Sequence, residues 1–223
     1  MKGYIFLLIT PLLLYTQTTI SQSIYFGPKA GINLSRIQGI SEGKTRPGSL
    51  AGLSVNWKQF PHVGFNVDLL ISSKGARKTG QLKTDSSNFR WNSYLNLVYL
   101  ESPLLFELYP GKNDHSFQPR LVGGISTAIL LITSESIFYN QSISNSNFDP
   151  TFKTSTESAT YKTGDIGLIY GMGFTYRIGD HTLFSFDTRY TYGLTDIKTN
   201  SKSTPWKNRA ITVLLGICYK ISK

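Results

Sequence analysis

The chain has 223 residues, with 23 Lys and Arg against 13 Asp and Glu and a formal charge of +10, yet only 16% of its residues are charged and 13% are aromatic. Few charges beside many Tyr and Phe describe a surface that does not face water everywhere, and after residue 20 no continuous apolar run reaches the roughly 20 residues that a helical membrane span requires. The single cysteine, Cys218, excludes an internal disulfide and any Cys-rich metal site.

In chain order, the first element is an export signal. Lys2 supplies the positive start, Tyr4 to Leu14 the short apolar core, and Thr19-Ile20-Ser21 the small residues before the cut. Residues 1–21 are therefore expected to be a signal peptide and residues 22–223 one mature domain.

Eight amphipathic strands follow. Successive side chains of a strand point to opposite faces, so strict alternation marks a strand with two different environments. It predicts strands near residues 24–35, 50–57, 63–72, 94–108, 119–130, 165–177, 183–193 and 210–221. In the third, Val63, Phe65, Val67, Leu69 and Ile71 oppose Gly64, Asn66 and Asp68; in the sixth, Ile166, Leu168, Tyr170, Met172 and Phe174 oppose Asp165, Gly167, Gly171 and Gly173.

Alternation alone fits either a soluble barrel with its apolar face inside, as in a lipocalin, or a membrane barrel turned inside out. Two features select the second. Phe184, Phe186, Tyr190 and Tyr192 are too bulky to share the interior of an eight-stranded barrel, whereas the glycine-rich opposite face suits a cramped lumen. The connections also alternate in length: 14, 21, 34 and 15 residues against 5, 10 and 5. That puts the long ones on one side, as extracellular loops, and the short ones on the periplasmic side. The expected fold is all-β, an eight-stranded antiparallel up-and-down transmembrane β-barrel. The connection 131–164 is rich in Ser, Thr and Asn, and reads either as a continued hairpin or as a mobile contact loop.

Several stretches carry a family likeness: Lys29-Ala30-Gly31-Ile32-Asn33, Tyr99-Leu100-Glu101-Ser102-Pro103-Leu104-Leu105, Asp165-Ile166-Gly167-Leu168, Arg189-Tyr190-Thr191-Tyr192-Gly193-Leu194-Thr195-Asp196-Ile197 and Leu215-Gly216-Ile217-Cys218-Tyr219-Lys220-Ile221. Together they resemble the PorT-like outer-membrane β-barrel family of Gram-negative bacteria, often labelled the porin family, over essentially the whole mature chain. The resemblance implies location in the outer membrane and a role as an accessory to a protein secretion machinery. It also implies an assembly signal in the last strand, at Gly216, Tyr219 and Ile221, although the chain ends Ile221-Ser222-Lys223 where such barrels often end in an aromatic residue.

On the inward face, Lys29, Arg120, Arg177, Arg189 and Lys220 balance Asp68, Glu101, Glu107, Asp165 and Asp187. Charges in a narrow lumen lose hydration and must pair, so these ten read as a structural ladder or as the lining of a narrow ion or solute channel. A wide diffusion pore is excluded, because it needs about 16 strands. Trp57, Trp91, Tyr94, Tyr109, Tyr192 and Trp206, at or near strand ends, read as an aromatic girdle. The long connections, with Arg209 at their edge, hold fourteen basic and six acidic residues. Outer-membrane lipid and lipopolysaccharide phosphates are the expected counter-charges, the barrel-assembly machinery and other outer-membrane or periplasmic proteins the expected partners, and nucleic acid is not expected for an exported barrel. His62, His115 and His181 fall in or beside the short turns on the periplasmic side, with none on an extracellular loop or mid-barrel, so no catalytic site, cofactor or metal is expected.

Overall fold

The computed structural model describes residues 23–40, 43–58, 60–84, 87–111, 116–142, 152–155, 161–199 and 204–221, with backbone alone for 81–84, 87–90, 139–142 and 152–155. The expected signal peptide, His115 and the last two residues lie outside this set.

Ten strands form in chain order: β1 (Ser23–Gln38), β2 (Gly43–Lys44), β3 (Arg46–Lys58), β4 (Val63–Thr84), β5 (Ser87–Leu108), β6 (Phe117–Ser142), β7 (Phe152–Ser155), β8 (Gly164–Ile178), β9 (Thr182–Gly193) and β10 (Lys207–Lys220). Eight of them, β1, β3, β4, β5, β6, β8, β9 and β10, pair antiparallel with their neighbours, and β1 pairs β10 to close the ring. Two-residue β2 adds to β4, and β7 to β6. Closure leaves none of the eight with an unpaired edge along the barrel wall, which is the condition for a sheet in hydrocarbon.

The two faces are inverted relative to a water-soluble barrel. Ile32 is 59% exposed, Ile71 57% and Met172 64%, whereas Lys29, Asp68 and Arg120 are at most 3% exposed. An apolar outer wall around a charged interior is stable when the solvent outside is lipid. Among the described residues no helix is long and apolar enough to cross a membrane.

Three strands are far longer than expected. β4 and β5 have 22 residues each and β6 has 26, although a tilted strand needs only about 9–11 to cross a bilayer. The expected connection 73–93 is instead the upper part of a hairpin paired up to Thr84↔Ser87. The expected connection 131–164 begins as strand as well, with β6 paired to β5 as far as Ser142 and, over Glu135 to Phe138, to β7 on its other side.

The break in alternation near residue 131 has a local cause. The β5–β6 register slips between Val98 and Tyr99, which face Ile132 and Leu130, so Leu131 is an extra residue. This bulge switches the inward face of β6 from even positions, ending at Ala128, to odd ones from Thr133, and leaves both Leu131 and Ile132 exposed. On β4 the register with β5 runs unbroken through Gly75. A Cβ there would strike the Leu95 carbonyl, and its N–H donates to Ser35 Oγ (2.9 Å).

Candidate functional site: the charged lumen

The interior is layered, and the order can be read along β4 and β5 from the periplasmic end. Asp68, Leu70, Lys74 and Ala76 succeed one another on β4, as Glu107, Leu105, Glu101, Tyr99 and Leu97 do on β5, all buried. Charge and apolar layers therefore alternate up the barrel.

The lower charged layer holds three cations and three carboxylates, from β1, β4, β5, β6 and β9. Lys29 Nζ donates to Asp68 Oδ1 (3.1 Å) and lies 3.6 Å from Asp187 Oδ2. Arg120 grips Asp187 with Nη2 (2.7 and 2.8 Å) and Nε (3.1 Å), and Glu107 Oε1 with Nη1 (2.7 Å). Arg189 bridges Asp68 Oδ2 (2.6 Å) and Asp187 Oδ2 (2.9 Å). Neutral donors complete the set, as Asn56 Nδ2 and the Tyr109 hydroxyl both donate to Glu107 Oε2 (2.6 Å each). Buried charges of equal number paired with one another are the arrangement that tolerates loss of hydration, although Arg189 Nε has no acceptor.

Arg120 reaches Asp187 across an intervening strand. Arg120, Gly173 and Asp187 form one register row over β6, β8 and β9. A Cβ at Gly173 would come within 2.6 Å of Asp187 Oδ1, so the empty position is the passage through which the two side chains meet.

Above this layer Leu50, Leu70 and Leu214 form an apolar collar. Next comes a smaller polar layer, in which Lys74 pairs with Glu101 while Asn208 Nδ2 donates to Asp165 Oδ2 (2.8 Å) and to the Tyr99 hydroxyl (3.2 Å). The extracellular end is filled by Ile37, Ala76, Leu95, Leu97 and Ile197, with Ile40, Tyr161 and Trp206 packed against them.

Of the ten expected ladder residues, the structure buries Lys29, Asp68, Glu101, Glu107, Arg120, Asp165, Asp187 and Arg189 in the lumen. Glu101 and Arg120 sit in different layers and have different partners. Two residues of the expected ladder are corrected. Arg177 is exposed and Lys220 only half-buried, because each lies at the end of its strand where the lumen opens to water. Lys74, expected in a connection, is instead inside and pairs Glu101; it was hidden because β4 runs on through a stretch that reads as a basic loop.

The aromatic girdle is also partly corrected. Trp57 stands on the outer wall beside Phe65 (5.9 Å between ring centres), as do Tyr192 and Tyr94, the latter against Phe138 (5.6 Å). Tyr109 points inward to Glu107, since alternation continues one residue past the end of β5. Trp206 packs on the interior plug beside Tyr161, and Trp91 lies on the projecting hairpin opposite Gly80, seven residues beyond Val98. In the last strand Gly216 faces inward between Lys29 and Ser185, while Tyr219 and Ile221 are exposed on the outer wall.

Asp196, in the connection between β9 and β10, fixes the plug from outside the membrane. Desolvation works against its ionisation. The N–H groups of Trp206 (2.8 Å) and Lys198 (3.2 Å), with Lys162 and Lys207 nearby, nevertheless hold its carboxyl below the usual range. A lowered folded pKa contributes stability that is complete above the ordinary carboxylate value and lost as pH falls through the folded one. Trp206 emission, read in a Trp57→Phe/Trp91→Phe background, is expected to hold steady down to about pH 4 and to shift only in stronger acid; Asp196→Asn should remove that acid shift.

The upper pair gives a second expectation. Glu101→Leu should cost about 3 kcal/mol by leaving Lys74 unpaired, whereas Lys74→Met/Glu101→Leu should lie within about 1 kcal/mol of the parent, because a well-packed apolar pair replaces a buried ion pair at little net cost. Urea unfolding from lipid vesicles measures both, and equal losses in the two variants would contradict it.

A closed ring of eight antiparallel strands, charged within and apolar without, is an integral membrane β-barrel. The chain belongs to the family described as outer membrane protein beta-barrel domain, which matches residues 17–199, and its place is the bacterial outer membrane. Similar solved structures are Neisserial surface protein A (15% identity, 88% of this chain and 97% of that one, TM-score 0.44) and OprG from Pseudomonas aeruginosa (15%, 91% and 96%, 0.45). Another is outer membrane protein W of E. coli (10%, 92% and 100%, 0.45). No curated protein matches the chain.

Proposed function

We propose that this barrel is a non-enzymatic interaction protein of the outer membrane, an accessory to a protein secretion machinery of the PorT-like kind. The observation that carries the reading is the stacking of two apolar layers, the Leu50/Leu70/Leu214 collar and the Ile37/Leu97/Ile197 plug, around a neutralised charge cluster. An interior filled in this way offers no path for solute, so the working surfaces are the outer wall, the rims and the projecting β4–β5–β6 hairpins. The same reading takes Gly216, Tyr219 and Ile221 as the contact for the barrel-assembly machinery, and the basic extracellular side as a contact for lipopolysaccharide.

Among the described residues, neither His62, whose Nδ1 meets the Tyr109 carbonyl (3.0 Å), nor His181, stacked on Tyr219, hydrogen-bonds a serine or carboxylate. This supports a role without catalysis.

Crosslinking in intact outer membranes, followed by pull-down of the tagged barrel, is expected to retain a stable protein partner through contacts on the hairpins or the periplasmic turns. Recovery of the barrel alone under crosslinking that captures known outer-membrane complexes would overturn the interaction role.

A further inference from the structure

The outer wall carries cations arranged differently from those of the lumen. On β10 and β1 the outward apolar series ends at Ile211 and Leu34, and the next residue of that parity on each strand is an arginine; the two are register partners, Arg36 exposed and Arg209 buried behind it. On β4 the series ends at Ile71. The next outward residue there, Ser73, accepts a hydrogen bond from Arg46 Nη1 (3.3 Å), which reaches across from β3, and Arg77 follows further out on β4 itself. Three adjacent strands, β1, β3 and β4, thus place an accessible guanidinium each at or just beyond the edge of the apolar belt, with buried Arg209 of β10 beside them. On β5, β6 and β9 the residues beyond the belt are Asn96, Ser134 and Leu194, so no arginine continues the arc there, while β8 leads through Gly164 to exposed Lys162.

None of the four arginines lies within ion-pair distance of a described carboxylate, in contrast to the lumen cations. Arg209 donates to the Gly193 carbonyl and to Gln38 Oε1 (2.7 Å each) and lies 3.3 Å over the Tyr192 ring. Arg77 Nη2 donates to Asn92 Oδ1 (3.2 Å), its guanidinium is 5.3 Å from the Tyr94 ring, and its buried Nε has no acceptor. Beside Arg46 an outward groove of about 420 Å³ opens between Tyr94, Asn92 and Phe138. Neutral acceptors and aromatic faces orient these groups without cancelling their charge.

Resting on the lipopolysaccharide contact proposed above, we propose that the arc Arg36, Arg46 and Arg77, backed by buried Arg209, is a binding site for the phosphate groups of outer-leaflet lipid headgroups. The belt edge is the height at which headgroup phosphates stand, and guanidinium planes with free donors match phosphate oxygens. The site accounts for the excess positive charge by placing part of it on the wall, where lipid touches the protein, as well as in the loops.

The test uses the full-length barrel in phosphatidylcholine vesicles, with spin-labelled phosphatidic acid and spin-labelled phosphatidylcholine as probes. Electron spin resonance is expected to show the phosphatidic acid held preferentially at the protein. The preference should fall about fivefold for each arginine removed in Arg36→Gln and Arg77→Gln, and stay unchanged in Lys220→Gln at the periplasmic mouth. Should Arg77→Gln fail to fold, exposed Arg36→Gln carries the comparison alone. Equal association of the two lipids would overturn the proposal. So would loss of the preference in millimolar inorganic phosphate but not in chloride of matched ionic strength, which would assign the site to free phosphate.

Discussion

Asp187→Leu is expected to destabilise the folded barrel by about 5 kcal/mol, the upper end of what removal of one partner of a buried ion network costs. Its carboxylate is touched by all three lower cations, with Arg120 at 2.7 Å, Arg189 at 2.9 Å and Lys29 at 3.6 Å. Without it the buried layer holds three positive charges against two carboxylates, Asp68 and Glu107. Urea titration in vesicles, followed by the mobility difference between folded and unfolded bands on a mild-detergent gel, reads the loss. A shift below about 1 kcal/mol would mean that the cluster behaves like a surface pair and that the lumen is hydrated.

Gly173→Val should have a comparable or larger effect by a different route. The new side chain would occupy the row between Arg120 and Asp187, within 2.6 Å of the carboxylate at its Cβ alone. Overpacking adds about 1–3 kcal/mol to the several kcal/mol of separating that pair, so the variant is expected to give no heat-modifiable folded band. Gly123→Val supplies the contrast. Gly123 lies on β6 near β8 with room around it, its nearest neighbour for a Cβ being the Ile169 carbonyl at 3.9 Å, and this variant should fold. Equal folding of both would show that the Gly173 passage has no structural role.

The parts of this fold that the sequence made legible are those where bilayer and lumen impose opposite demands on alternate residues. Val63 to Ile71 and Asp165 to Phe174 read cleanly because every second side chain meets lipid and every other one meets packed polar groups. Beyond the belt that contrast disappears. Arg77, Asn92 and Ser136 leave the bilayer while still on strands, and so the hairpin above Ile71 resembled a loop. The extra residue Leu131 reversed the parity of β6 just where the polar stretch began.

The lumen charges were legible as inward residues but not as partners. Partnership depends on strand tilt and on the gaps left by glycines: Arg120 bypasses Glu101 on its neighbouring strand and joins Asp187, two strands away in the ring, through Gly173. Lys74 was missed for a related reason, since only the register of β4 against β5, with Lys74 opposite Leu97 and Leu70 opposite Glu101, brings it to the carboxylate.

The closed lumen proposed above is tested most directly by current through the purified barrel in a planar lipid bilayer. The layered interior predicts a flat baseline across the physiological voltage range, for the parent protein and equally for Asp68→Asn and Arg189→Gln. Discrete, ion-selective openings whose size or selectivity changed with either substitution would contradict it and establish the charged layer as the lining of a channel.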